Sequence, residues 1–296
     1  MAVPDLADRF EAARPMLLGL AYRVLGVRAD AEDAVQDTFL RWQAADRDAI
    51  DNADAWLTTV CTRRCLDMLS AADRARVDYV GPWLPEPVPT GALGMPDQAV
   101  ELAGSLTTAF LLALQRLTPK ERAAYLLYDI FDRPYPEVAD TLGLQAPACR
   151  QLVARARRHI GDARVRHQTP PARQRRLLDA FRDAVASGST EALATLLSDD
   201  VRLSSDGGGK VVAARRVMHG HREVTRFIEA GLHVWWAPEA MVEAQLNGAP
   251  GFLVHDAGAL SAAVWFACAP DGNVSDIYVM RNPDKLANLQ AAFAGR

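Results

Sequence analysis

The sequence predicts a multidomain chain, in which an all-α part (residues 1–168) precedes an α+β domain (residues 172–296). Three observations support this. The chain has 296 residues, more than one ordinary domain needs. Apolar residues recur at helical spacing through most of the first part. After Thr169-Pro170-Pro171, apolar and polar residues alternate over several stretches, as they do in strands.

The first segment, residues 1–78, is predicted to contain three helices. Apolar positions repeat at helical spacing from Phe10 to Leu25 and from Ala34 to Trp42, and a third helix follows. Asp30 is expected to cap the second helix, with Asp33 in its first turn, where a negative charge favours the helix dipole.

Residues 79–99 are predicted to form a linker. Five prolines and three glycines between Tyr79 and Pro96 cannot sustain a helix. The segment Trp83-Leu84-Pro85-Glu86-Pro87 is too apolar for a flexible tether. We therefore expect Trp83, Leu84 and Pro85 to pack against another surface.

Residues 100–168 carry the most specific motif of the sequence, a predicted helix-turn-helix. Thr118 and Glu121 have capping-box spacing. A short helix at 135–142, a glycine turn and a basic helix at 147–160 follow. Five outward positions of the basic helix are expected to reach base edges and phosphates: Arg150, Gln151, Ala154, Arg155 and Arg158. An arginine-rich solvated face is the alternative.

Composition limits the class of protein. The net charge of -4 argues against a general nucleic-acid binder, but nine arginines face one acid between Arg150 and Arg176. No apolar run has the length of a membrane span and no signal peptide is visible, so a cytoplasmic chain is expected. No metal or cofactor is expected, because the four cysteines lack ligand spacing: Cys61, Cys65, Cys149 and Cys268. Cys61 and Cys65 are expected to be small buried apolar residues, with a redox role as the alternative.

The last segment, residues 172–296, is predicted to mix helices and strands. Its helices are expected at about 174–186, 190–198 and 222–232 and at the C-terminus, and its strands near 201–203, 239–246, 251–255, 260–267 and 274–280.

Blocks of residues in 1–165 resemble the extracytoplasmic-function sigma factors, which direct bacterial RNA polymerase to promoters. One block looks like region 4, which reads the promoter −35 element: Leu117 to Arg122, Pro136 to Ala139, Leu142-Gly143-Leu144 and Arg155-Ala156-Arg157. Asp30 to Leu40 resembles region 2.2, which contacts the clamp helices of the largest polymerase subunits. Trp56 through Asp67 resembles regions 2.3 and 2.4, which melt and read the −10 element.

The resemblance implies two further sets of contacts. The first is an acidic face for core polymerase, with a merely solvated helix as the alternative: Asp30, Glu32, Asp33, Gln36 and Asp37. The second is a −10 surface of hydroxyl, guanidinium and aromatic groups: Trp56, Thr58, Thr59, Arg63 and Arg64. Many relatives carry Asn where Arg63 stands and Arg where Ser70 stands, which leaves the −10 specificity open.

The C-terminal segment resembles the SnoaL-like, NTF2-like fold, a curved sheet with helices that form a cone. A subgroup of these sigma factors carries such a domain, marked by WLPEP, DGGGK and NPDKL segments, and the domain is thought to regulate the factor in cis. The implied contact residues lie in the last two segments: Asp206, Gly207, Gly208, Gly209, Lys210, Asn282, Pro283, Asp284 and Lys285. We expect the domain to pack against the linker and the region 2 helices. A tight strand connection is the alternative for the glycines.

Other functions remain as alternatives. The SnoaL fold also hosts cyclases and isomerases, for which the acid/base candidates would be Asp206, His219, His221, His233 and His255. Their spacing suggests no pair, so no enzyme is expected; sensing of an unknown small ligand stays open beside a protein-contact role. Two further alternatives are a helix-turn-helix repressor with a ligand-binding domain and an enzyme fused to a DNA-binding module. Neither would need a surface that binds core polymerase.

Overall fold

The computed structural model describes residues 6–46, 49–76, 79–92, 105–161, 169–236 and 240–294. The chain divides into two compact units. The first comprises Met1–Val77 and Gly91–Arg164, and the second comprises Asp78–Thr90 and Val165–Arg296. The linker as far as Thr90 therefore belongs to the same unit as the C-terminal segment.

Three helices form the N-terminal half of the first unit: α1 (Leu6–Leu25), α2 (Arg28–Ala44) and α3 (Ala53–Arg76). They pack together through a core of buried side chains that includes Phe10, Leu17, Leu20, Trp42 and Leu57. Cys61 and Cys65 are fully buried in α3, as predicted. A hydrogen bond with Cys61, together with burial, raises the pKa of the Cys65 thiol well above its usual value.

The predicted cap of α2 is wrong. Gly26 lies in the left-handed region (φ 75°) just after α1 and lets the chain turn directly into α2, which begins at Arg28. Val27 occupies the N-cap position without a side-chain bond. Asp30 therefore lies within the first turn, and Asp33 lies one turn further along the helix.

The helix-turn-helix prediction is confirmed. The C-terminal half of the unit contains α4 (Thr108–Leu114), α5 (Pro119–Tyr125), α6 (Tyr135–Leu142) and α7 (Ala146–Ile160), and a π-helical turn (Leu126–Ile130) continues α5. Gly143 ends α6 in the left-handed conformation (φ 61°). Thr118 and Glu121 form a reciprocal capping box at the start of α5.

A six-stranded sheet forms the second unit, with strand order β2-β1-β6-β5-β4-β3. The strands are β1 (Leu197–Asp206), β2 (Met218–His219), β3 (Met241–Leu246), β4 (Ala249–Asp256), β5 (Ala259–Cys268) and β6 (Val274–Met280). Only the β1–β6 pair is parallel among these neighbours. One face is covered by α8 (Pro171–Ser187), α9 (Glu191–Ala194) and α10 (His221–Trp235), over a buried core that includes Phe181, Phe252 and Ile277.

The predicted helix at 190–198 is wrong in its second half. α9 ends at Ala194, and Leu197 already pairs with Val274 of β6 in the sheet. Because Leu197 also enters the apolar core, pairing with a distant strand outweighs the local helical pattern. The two-residue strand β2 was not expected from the sequence.

The linker and α11 (Pro283–Ala294) lie on the opposite side of the sheet from the three helices. Trp265 and Tyr278 are neighbours on this face and are almost fully buried. The Leu84 amide donates to Asp206 of β1, and Thr90 donates to the Gln245 carbonyl of β3. The linker thus runs from the β1 side of the sheet to its β3 edge.

Candidate polymerase and promoter interfaces

The outward face of α7 is exposed as the helical pattern predicted. Arg150, Gln151, Ala154, Arg155 and Arg158 are all exposed, whereas Leu152, Val153, Ala156 and Ile160 are buried on the other side. The structure therefore presents a basic recognition helix whose long side chains have room to enter a DNA groove. Their individual contacts with DNA remain a prediction.

Arg155 differs from the other arginines on this face because it is already paired. Its Nε lies 2.8 Å from Glu121 Oε1. Burial opposes ionisation of Glu121, but hydrogen bonds from Arg155 and Thr118 hold its pKa below the usual value. The capping box of α5 therefore also anchors α7, and Arg150 and Arg158 are the better candidates for base or phosphate contacts.

Replacing Arg150 with alanine is expected to weaken binding to a −35 duplex by about 1–3 kcal/mol, the range for a bidentate base contact. Arg150 is exposed in the first turns of α7. Its guanidinium lies 5.8 Å from the centre of the Tyr135 ring, and this ring restrains the side chain in a position from which it can contact DNA. A salt-controlled fluorescence titration measures the change. Arg176→Ala, which removes an exposed arginine of α8, is the matched control. Equal affinities and equal base preferences for both variants would reject the role.

The predicted polymerase face lies along α2. Glu32, Asp33 and Gln36 are exposed, and Asp30 and Asp37 are half-buried. Sequence reasoning missed Leu40, which is 53% exposed and follows Asp33 by seven residues on the same helical face. Leu40 gives this acidic face one exposed apolar side chain. The helical spacing of Leu40 from Asp33 could have identified it.

Two acids of this face are paired within the first unit. Arg28 Nε lies 2.8 Å from Glu32, and Arg64 Nε lies 2.6 Å from Asp37. The second pair joins a predicted polymerase residue to a predicted −10 residue. Asp33 is thus the exposed acid whose charge reversal disturbs α2 least.

The −10 set on α3 is only partly accessible. Thr58 is buried, and its hydroxyl donates to the Asp54 carbonyl one turn earlier, so the prediction that it faces DNA is wrong in this conformation. Trp56 is half-buried and lies 5.4 Å from the Trp42 ring. Thr59 and Arg63 point to Thr141 of α6, with hydroxyl oxygens 2.9 Å apart for Thr59 and a bond of 3.0 Å from Arg63 to the carbonyl.

Asp206 is the centre of a buried polar cluster that holds the linker. Its carboxylate accepts hydrogen bonds from Tyr79 (2.5 Å), the Leu84 amide (2.9 Å) and the Gly208 amide (3.0 Å). The Lys285 ammonium lies 2.8 Å from Asp206, donates to the Leu84 carbonyl (2.6 Å), and sits 4.3 Å from the Trp83 ring centre. The apolar Trp83-Leu84-Pro85 segment is therefore docked, as the sequence predicted.

The remaining residues of the two C-terminal segments have structural places around this cluster. Asn282 caps α11 by accepting from the Asp284 amide and donates to the Tyr79 hydroxyl, and Pro283 is the first residue of the helix. Lys210 pairs with Asp284 on the surface. Gly207 is buried, and Gly209 lies against Val80.

Replacing Gly208 with alanine is expected to destabilise the second unit by about 1–3 kcal/mol more than Gly258→Ala does. A Cβ at Gly208 would lie 2.4 Å from Asn282 Nδ2, whereas one at Gly258 meets nothing within 4 Å. Both glycines have left-handed φ (62° and 83°), so the shared strain cancels in the comparison. Denaturant unfolding of the two variants measures the difference; equal losses would show that Asn282 yields to the methyl group.

Of the histidines considered for catalysis, the three whose side chains are described are not assembled around Asp206. His221 Nε2 contacts the Ala194 carbonyl at the surface of the core, His219 is exposed on β2, and His255 is half-buried on β4. The side chain of His233 lies outside what the structure describes.

In the described ranges, no group of three metal-ligating side chains comes together, and no helix is both long and apolar enough to cross a bilayer.

Comparison with known proteins agrees with the helical motifs. Residues 9–75 match the family model for sigma-70 region 2, and residues 107–160 match that for sigma-70 region 4. ECF RNA polymerase sigma factor SigJ of Mycobacterium tuberculosis is 37% identical over 94% of this chain and 92% of its own. The probable ECF RNA polymerase sigma factor SigI of the same organism is 33% identical over 97% and 96%.

The fold agrees as well. The crystal structure of Mycobacterium tuberculosis SigJ matches with a TM-score of 0.72 at 35% sequence identity, covering 95% of this chain and 98% of that chain. Helical regions 2 and 4 followed by a SnoaL-like domain of helices and sheet are thus confirmed. The chain belongs to the extracytoplasmic-function (ECF) RNA polymerase sigma factors.

Proposed function

We propose that this sigma factor directs transcription initiation through three surfaces of its first unit. The α2 face docks on core polymerase, the outer face of α3 reads the −10 element, and α7 reads the −35 element. One observation carries the proposal: an exposed acidic face with Leu40 and an exposed basic recognition helix occur in the same unit. The first suits a protein partner and repels DNA, and the second attracts phosphates.

The C-terminal domain regulates the factor in cis in this proposal. Residues 79–90 connect region 2 to region 4 along the chain, and the buried Asp206–Lys285 pair holds them on the sheet. By fixing the linker, the domain restricts the paths that the chain can take between the two DNA-reading regions. Direct packing of the domain on the region 2 helices stays a prediction, as does sensing of a small ligand. No catalytic role is proposed, because Asp206 is committed to structural donors.

A pull-down with bacterial core RNA polymerase, followed by run-off transcription from promoters selected by the resulting holoenzyme, tests this function. The full chain is expected to co-purify with core enzyme and to confer promoter-dependent transcripts. A chain that binds duplex DNA but never core enzyme would instead support the repressor alternative. Since polymerase works in the bacterial cytoplasm, we propose the same location for this chain.

A further inference from the structure

We propose that a cavity between the linker and the β1–β2 loop (residues 207–217) binds a small aliphatic anion, and that the bound anion holds the linker on the second unit. Both segments that form the cavity belong to this unit. The effect on transcription rests on the cis regulation proposed above, whereas binding of the anion does not. Four features support the inference: the lining of the cavity, its size, its charge and its place at the linker.

The lining of the cavity is largely apolar. Val80 lines it from the linker, and Val211 and Val212 line it from the β1–β2 loop. These three side chains are 54%, 38% and 76% exposed, and they are half of the six large apolar side chains that are exposed in the described part of the chain. Because binding of an apolar group would remove this surface from water, the cavity favours a ligand with an aliphatic part.

The volume of the cavity limits the size of the ligand. It is about 340 Å³, and a water molecule takes up about 30 Å³ in the liquid, so the cavity equals the space of about eleven waters. An aliphatic acid of about ten non-hydrogen atoms, such as octanoate, therefore fits.

The proposed site is separate from the interior between the sheet and its three helices. That interior is packed with aromatic rings: the ring centre of Phe181 lies 5.9 Å from that of Phe252 and 5.0 Å from that of Phe266. All three side chains are buried. The cavity at the linker is thus a different place from the one in which enzymes of this fold would hold a substrate.

The side chains around the cavity are positively charged. Lys210 and Arg215 line it, and none of its ten lining residues is acidic. The Arg215 side chain makes no hydrogen bond or ion pair with any described residue. Lys210 pairs with Asp284, but both side chains are more than half exposed, so the pair is weak and another anion can replace it.

Arg281 adds positive charge behind the wall of the cavity. Its Nη1 donates to the carbonyl of Val212 (2.5 Å), and its Nε is shielded from water and has no hydrogen-bond acceptor among the described residues. Burial lowers the pKa of Arg281, because desolvation disfavours its charge. An anion in the cavity would stabilise this guanidinium together with Arg215.

The cavity lies where the linker meets the loop, so a bound ligand contacts both. A Cβ added at Gly81 would lie 3.3 Å from the Ala214 carbonyl oxygen, and one at Gly209 would lie 3.4 Å from Val80. If the linker is released, the cavity loses the wall that Val80 and Gly81 form. The ligand therefore binds the docked state, and it stabilises docking by mass action.

Octanoate is the probe that tests binding. Calorimetric titration of the full chain, below the concentration at which micelles form, should show that octanoate binds. Octanol keeps the chain without the charge and acetate keeps the charge without the chain, so each should bind at least about tenfold more weakly. If octanoate binds no better than acetate or octanol, the proposed site is wrong.

Two variants locate the binding. Arg215→Ala removes a cation from the cavity and should weaken octanoate binding about fivefold or more. Val212→Asp places a negative charge at the wall and should weaken it at least as much. Both side chains are exposed, so the fold should be retained. Arg222→Ala, which removes an exposed arginine of α10 outside the cavity, is the matched control, and equal octanoate affinities for both arginine variants would overturn the site.

Hydrogen exchange tests the link to docking. The Leu84 amide donates to Asp206, so its exchange reports release of the linker. Octanoate at about ten times its Kd should slow this exchange about elevenfold if it binds the docked state alone. Unchanged exchange at saturation would overturn the link to docking. Slower exchange with unchanged run-off transcription would support the site and contradict the cis regulation proposed above.

Discussion

Replacing Lys285 with methionine is expected to release the linker from the C-terminal domain. The ammonium is 7% exposed and its partner Asp206 is fully buried, so the change leaves a carboxylate buried without its cation. Removing one member of such a pair typically costs about 3–5 kcal/mol. Lys285 also bonds the Leu84 carbonyl and lies over Trp83, so these two attachments of the linker are lost together with the ion pair.

Hydrogen exchange of the full chain measures the release. The amides of Leu84 and Val88 donate to Asp206 and Asn247, and both should exchange faster in Lys285→Met. Lys210→Met is the matched control, because its pair with Asp284 is 54% and 65% exposed and should contribute no more than about 1 kcal/mol. Unaltered exchange at both amides in Lys285→Met would show that apolar packing alone holds the linker.

Reversing the charge of Asp33 is expected to disrupt association with core polymerase. Asp33→Arg places a cation at an exposed acid of the α2 face, and like charges across an interface cost several kcal/mol. A loss of at least about 2 kcal/mol, roughly 30-fold in affinity, is expected for a central residue. Leu40→Ala should weaken the complex too, with less dependence on salt, because it removes apolar contact rather than charge.

Co-elution with core enzyme over a series of salt concentrations measures both effects. Asp183→Arg makes the same charge change at an exposed position of α8 and should leave the complex intact. Circular dichroism checks that α2 still folds, which is expected since the side chain of Asp33 is exposed. If Asp33→Arg co-elutes as the wild type does at moderate salt, the acidic face is a solvated surface and core polymerase binds elsewhere.

Local signals in the sequence predicted much of the helical fold. The capping box at Thr118 and the glycine after α6 are short-range features, and both appear where expected. The predictions failed where distant residues decide the structure. Leu197 leaves the helical pattern because it pairs with Val274, and nothing near residue 197 reports that partner.

The candidate site residues show the same difference between local signals and distant contacts. Exposure of the α7 arginines follows from helical spacing, and the motif resemblance selected Asp206 and Lys285. It could not show that Tyr79 completes their cluster, or that Arg63 is bonded to Thr141, 78 residues away. Contacts between elements far apart in the chain depend on packing that no local pattern encodes.

The place of the linker within the second unit has a consequence for how the protein is made. Tyr79 precedes its partner Asp206 by 127 residues, and Leu84 precedes Lys285 by 201. At about 5–20 residues per second, a ribosome adds those 201 residues in roughly 10–40 s. Both DNA-reading regions are therefore synthesised well before the linker can dock. Every newly made molecule passes through an undocked stage, and a chain that terminates before α11 lacks the contacts of Lys285 with Leu84 and Trp83.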